Sequence, residues 1–130
     1  MHKVMLMMLL TVVSSSAAAE WVEVGTDDTG TITIYADPAT IRKSGDKVRM
    51  WHLYDYQTTQ RNSGKRFMSV VTRTEHDCKE EQSRGLYVSS YSENMGGGTV
   101  VEIFDEPDKW LPVPPGTASA VLWELACKKR

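Results

Sequence analysis

The chain has 130 residues, with 15 Lys and Arg against 17 Asp and Glu and a net charge of −2. A chain of this length makes one domain. Its weakly acidic balance and scattered Lys and Arg leave no electrostatic footprint for nucleic acid and no basic patch for an anionic membrane.

In chain order, MHKVMLMMLLTVVSSSAAAE has the three parts of an export signal. Lys3 is the positive start, Val4 to Val13 is apolar apart from Thr11, and Ala17 to Ala19 supply the small residues for cleavage between Ala19 and Glu20. Ten apolar residues span about 15 Å as a helix, roughly half the hydrocarbon core, too short for a membrane anchor. The expected division is a signal peptide over 1–19 and a single domain over 20–130. Taking 19 residues from 130 leaves 111, and losing Lys3 leaves 14 basic against 17 acidic residues, a charge of −3. Glu20 follows the cleavage site where a lipoprotein would carry cysteine. The expected product is therefore soluble, without a membrane anchor, and periplasmic or secreted.

The mature region alternates with period two, so it reads mostly as sheet. Trp21 to Val24 is a first strand, followed by a turn-rich stretch to Gly30. Thr31 to Tyr35 is a second, its β-branched residues suiting a pleated surface. At Asp37-Pro38-Ala39-Thr40-Ile41 a capping Asp and a Pro at the first helical position predict one short helical turn. Lys47 to Tyr56 is the longest strand. Val48, Met50, His52, Tyr54 and Tyr56 lie on one face, and Arg49, Trp51, Leu53 and Asp55 on the other. Two apolar faces place it mid-sheet. A polar hairpin loop is expected over Gln57 to Lys65, with Asn62-Ser63-Gly64 as its turn signal. Strands follow over Arg66 to Asp77, Leu86 to Tyr91 and Thr99 to Phe104. Three prolines keep Trp110 to Gly116 out of any central strand. Thr117 then caps a C-terminal helix with Ala118, Val121, Leu122 and Leu125 on one stripe.

The mature region holds two cysteines, Cys78 and Cys127. In an oxidising compartment an even count favours a disulfide, and neither CxxC nor zinc spacing offers another use. The bridge closes a loop of about 50 residues and contributes roughly 4 kcal/mol.

A search for chemistry finds no active site and no metal site. His52 alternates with Val48, Met50 and Tyr54 and reads as a packed residue. His76 and Cys78 share a strand face, but Cys78 is taken by the bridge. No GxSxG elbow, calcium loop or phosphate loop is present. The expected protein is not an enzyme and carries no cofactor. Haem is the one group weighed, since Tyr, Met and His are available, but no CxxCH attachment exists.

The order of landmarks is itself informative. Trp21-Val22, Tyr35-Ala36-Asp37, Ile41-Arg42, Met50-Trp51, Asp55-Tyr56, Asp77-Cys78, Tyr91, Met95, Gly98-Thr99-Val100-Val101, Trp110 to Thr117 and Cys127 together resemble the surface-adhesin protein E-like family of small exported bacterial domains. The resemblance implies an α+β fold: an antiparallel meander of about six strands, a C-terminal helix and one disulfide. It also implies a non-enzymatic binding domain for host or envelope proteins, and its founding adhesin is lipid-anchored and haem-binding. Glu20 departs from that anchor. The expected interaction face is the side of the longest strand bearing Trp51 and Leu53, which a protein partner or a second copy would cover as a homodimer. The rival expectation is an inhibitor of a host hydrolase such as lysozyme, acting through a protruding Asn94 to Gly98 or Gln57 to Lys65 loop.

Overall fold

The computed structural model describes residues 19–128; the expected signal segment lies outside them apart from Ala19. Six strands form an antiparallel meander in chain order: β1 (Val22–Thr26), β2 (Ile32–Ser44), β3 (Lys47–Asn62), β4 (Lys65–Asp77), β5 (Gln82–Tyr91) and β6 (Val100–Phe104). A seventh, β7 (Leu111–Pro112), adds to the outer side of β5. The single described α-helix, α1 (Ala118–Lys128), crosses one face of the sheet.

The elements follow the alternation, with two corrections. β3 and β4 run on to a two-residue turn at Ser63-Gly64, with φ of 52° and 80°. Paired left-handed residues match the strand twist, so the turn sits where Asn62-Ser63-Gly64 marks it, but most of the hairpin loop expected over Gln57 to Lys65 is strand. The helical turn expected over Asp37 to Ile41 is instead a register shift inside β2. There Thr40 Oγ1 donates to Asp37 O at 2.6 Å and accepts from Trp51 N at 3.0 Å. A hydroxyl thus stands in for the ladder acceptor that the bulge removes. The short helical turn is a 3₁₀ turn at Asn94–Gly96.

The core lies between sheet and helix: Ile34 and Ala36 of β2, Val48 and Met50 of β3, and Leu122 and Ala126 of α1. Thr117 caps α1, its Oγ1 accepting from Ala120 N at 3.2 Å. Val121, expected on the buried stripe, is 43% exposed because the helix seats on Leu122 and Ala126. The Cys78–Cys127 disulfide joins the end of β4 to the last turn of α1, with Cα atoms 5.6 Å apart. The helix stays intact to Lys128, and Trp123 Nε1 donates to Asp77 O at 2.9 Å beside the bridge.

Candidate functional site

The helix covers one face of the sheet, so function must use the other face, an edge, or the cleft at the helix margin. Directly opposed residues of antiparallel strands share a face. The open face therefore carries Tyr35, Trp51, Leu53, Val71, Arg73, Tyr87 and Ser89.

Its centre is closed. Leu53 is 0% exposed, which overturns the expectation that it stands open beside Trp51. The 92–98 segment folds over it: Asp55 Oδ1 accepts from Met95 N at 2.8 Å and Asn94 Nδ2 at 3.0 Å, and Ser69 Oγ accepts from Gly96 N at 2.9 Å. Gly98, at φ 75°, completes the fold, and a Cβ there would collide with Ser92 Oγ. The loop expected to protrude is thus pinned to the sheet. Trp51 remains half-buried, edge-on to Tyr87 with ring centroids 5.6 Å apart.

Val22, Met95, Leu111 and Val121 are exposed singly on separate elements, whereas three exposed apolar side chains share one edge strand. Val100, Ile103 and Phe104 of β6 are 50%, 51% and 56% exposed. Ile103 opposes Ser89 on the open face, and Phe104 opposes Val88 on the helix side. No strand among the described residues pairs with the outer side of β6. Its backbone is therefore an open template with apolar groups on both faces. Acids surround it: Asp105, Glu106 and Asp108 are exposed, and Glu102 is held by Lys65 Nζ at 3.6 Å and Asn62 Nδ2 at 3.3 Å.

At the helix margin, a cleft of about 380 Å³ is lined by His52, Thr74, His76, Ser83, Leu111 and Leu122 among others. His76 Nδ1 lies 2.8 Å from Ser83 Oγ, the spacing of a base and its nucleophile. The chemistry fails beyond that distance. Burial lowers the His76 pKa to about 4, leaving a weak base. Its Nε2 is buried and has no hydrogen-bond partner among the described residues, so nothing orients the ring as a triad acid would. Burial, and then neighbouring His76, lower the His52 pKa to about 3. Both imidazoles lie at the buried floor of the cleft, 7% and 1% exposed. Among the described residues, no group of three or more His, Cys, Asp or Glu is placed to hold a metal.

The profile of the family described as Surface-adhesin protein E matches residues 21–128. The chain belongs to the surface-adhesin protein E family. The adhesin E fold is also that of solved structures of Haemophilus influenzae protein E. One aligns with a TM-score of 0.62 at 13% identity over 86% of each chain. Its selenomethionine form gives 0.63 at 13%, covering 86% of this chain and 88% of that one. Crystal form II gives 0.59 at 14%, covering 85% and 97%. At such identities the likeness is one of fold. No curated protein matches the sequence. The family is one of surface adhesins, which makes this an adhesin-like protein of the exported or surface kind. Among the described residues no helix is long and apolar enough to cross a membrane.

Within this adhesin E domain the expected site residues part company. Trp51 stays accessible in part, Leu53 is core, and Cys78 and Cys127 form the expected bridge. Ala19 and Glu20 are exposed ahead of β1, and Glu20 N donates to Asp37 Oδ2 at 3.3 Å. Sequence reasoning passed over β6 as the last strand of the meander. Its signal was present in Val100-Val101-Glu102-Ile103-Phe104, an apolar strand followed at once by Asp105, Glu106 and Pro107.

Proposed function

We propose that this chain is an exported, non-enzymatic binding domain that captures an extended segment of a partner protein along the free edge of β6. The carrying observation is the exposure of Val100, Ile103 and Phe104 on an edge that no strand among the described residues pairs. Strand addition would supply main-chain hydrogen bonds, and the apolar side chains on both faces would hold alternate residues of the segment. The surrounding acids, Glu102, Asp105, Glu106 and Asp108, favour a segment carrying Lys or Arg. They also disfavour a second copy. Two β6 strands paired antiparallel about their centre would set Glu102 against Glu102. Leu53 is covered and offers no apolar surface beside Trp51 to a second copy.

The test is an NMR titration of the isotope-labelled chain from Glu20 with an alternating Lys-Val peptide. Expected are amide shifts confined to β6 and its flanks, lost in the Ile103→Ser, Phe104→Ser double variant. The same peptide N-methylated at alternate residues keeps its charge and should not bind. Equal binding of the methylated peptide, shifts elsewhere on the sheet, or a concentrated chain sedimenting as a dimer would overturn the proposal.

A further inference from the structure

The open face carries a second feature that the β6 edge does not use. Arg42, Lys43, Lys47, Arg49 and Arg73 line one hollow of about 180 Å³, beside the hairpin that joins β2 to β3. The net charge conceals this cluster, because three different strands contribute to it.

Arg42 and Arg49 are direct cross-strand partners, a placement in which like charges destabilise a sheet. The nearby acids do not cancel them. Glu75, the one carboxylate among the described residues that line the hollow, is shared: Arg49 Nε reaches Oε2 at 3.3 Å and Arg84 reaches Oε1 at 2.9 Å. Lys47 is drawn to Asp77 at 3.5 Å. Among the described residues Arg42 donates only to the backbone carbonyls of Ala39 and Ile41, at 3.1 and 2.8 Å. Lys43 and Arg73 have no ion pair among the described residues. The hollow thus holds more cation than its own acids can match. Next to it along β3, Trp51 lies directly opposite Arg73 and is half-buried.

We infer that this hollow binds a sulfated polysaccharide, with sulfate groups held by Arg42, Arg49 and Arg73 and a sugar ring resting on Trp51. Guanidinium groups match tetrahedral oxyanions with paired donors. Adjacent strands lie about 4.8 Å apart, so cations on β2, β3 and β4 form a row roughly 10 Å long. That row suits a linear polymer with charges spaced along its repeat. Trp51 packs edge-on to Tyr87, and Trp110 lies against Lys47 and Arg84, so these rings are engaged within the fold and the cations span only three strands. Nucleic acid needs successive open stacking platforms and a longer basic track.

The experiment is calorimetric titration of the chain from Glu20 with a heparin-derived decasaccharide at physiological salt. Binding should weaken as salt rises. NMR should show the side-chain Nε signals of Arg42, Arg49 and Arg73 shifting. The Arg42→Glu, Arg73→Glu double variant should lose about tenfold or more in affinity, with an unchanged urea midpoint. Trp51→Phe should weaken the decasaccharide while leaving a polyphosphate of equal charge unaffected. No binding at millimolar decasaccharide, or equal binding by the double variant, would overturn the assignment. So would equal binding of desulfated oligosaccharide, or of anionic phospholipid vesicles in its place.

Discussion

β3 presents Trp51 and Leu53 to the open face of the sheet, and β6 presents Val100 and Ile103 to the same face. Leu53 is fully buried, whereas Ile103 is 51% exposed. The side chains are alike; their positions are not. β3 has β2 on one side and β4 on the other, and Asp55 fastens the 92–98 segment across its middle. β6 has one neighbouring strand among the described residues, and only Glu102 is reached from the β3–β4 hairpin. An apolar pattern on both faces of a long strand therefore reports depth in the sheet, while accessibility is decided by the edge.

Substitutions can break this contrast. The largest effect should come from Leu53→Ala, which leaves a cavity beneath the pinned segment and costs about 2–5 kcal/mol. Ile103→Ala should stay within about 0.5 kcal/mol of the parent. Urea unfolding of the two variants tests this directly, and equal costs would erase the difference between centre and edge. On the opposite face, Cys127→Ser should cost about 2–5 kcal/mol by freeing the loop that the bridge closes. An unfolding curve unaltered by reductant would contradict the linkage.

Acid should act on the helix side and spare the edge. His52 and His76 are held neutral when folded, their pKa values lowered from 6.5 to about 3 and about 4 by burial. The unfolded chain takes up protons below 6.5 that the folded chain refuses. Their contribution is therefore complete above 6.5 and falls through the window down to about 4 and then 3. The slope is at most about 1.4 kcal/mol per pH unit for each histidine. Urea midpoints at pH 7 and pH 5 measure it, and identical midpoints would show that these imidazoles titrate freely. Among the destabilising changes, Asp55→Ala should be the mildest. Losing the acceptor for Met95 N and Asn94 Nδ2 should cost about 1–2 kcal/mol. It should also loosen the cover over Leu53, seen as faster amide exchange of Gly96 and Gly97 without change at β6.

Much of the fold was legible because it rests on local pattern. Alternation marked the strands, Thr117 marked the start of the helix, and two cysteines in an exported chain marked the bridge. The misplaced features depend on long-range packing. Whether Leu53 lies open turns on Asp55 capturing a segment some 40 positions along the chain. Whether Asp37 to Ile41 coils or bulges turns on Thr40 meeting Trp51 N of the next strand. The hairpin at Ser63-Gly64 was readable as a turn, but the polar residues beside it masked how far the strands continue. The basic hollow escaped notice for a similar reason: Arg42, Arg49 and Arg73 are scattered singly in sequence and meet only through strand register.

The most direct test of the central claim, that the accessible apolar surface is the β6 edge and not the middle of β3, is methyl NMR with a soluble paramagnetic agent. The methyl signals of Val100 and Ile103 should broaden strongly, and those of Leu53 should be untouched. Strong broadening of Leu53 with protected Ile103 would contradict the account.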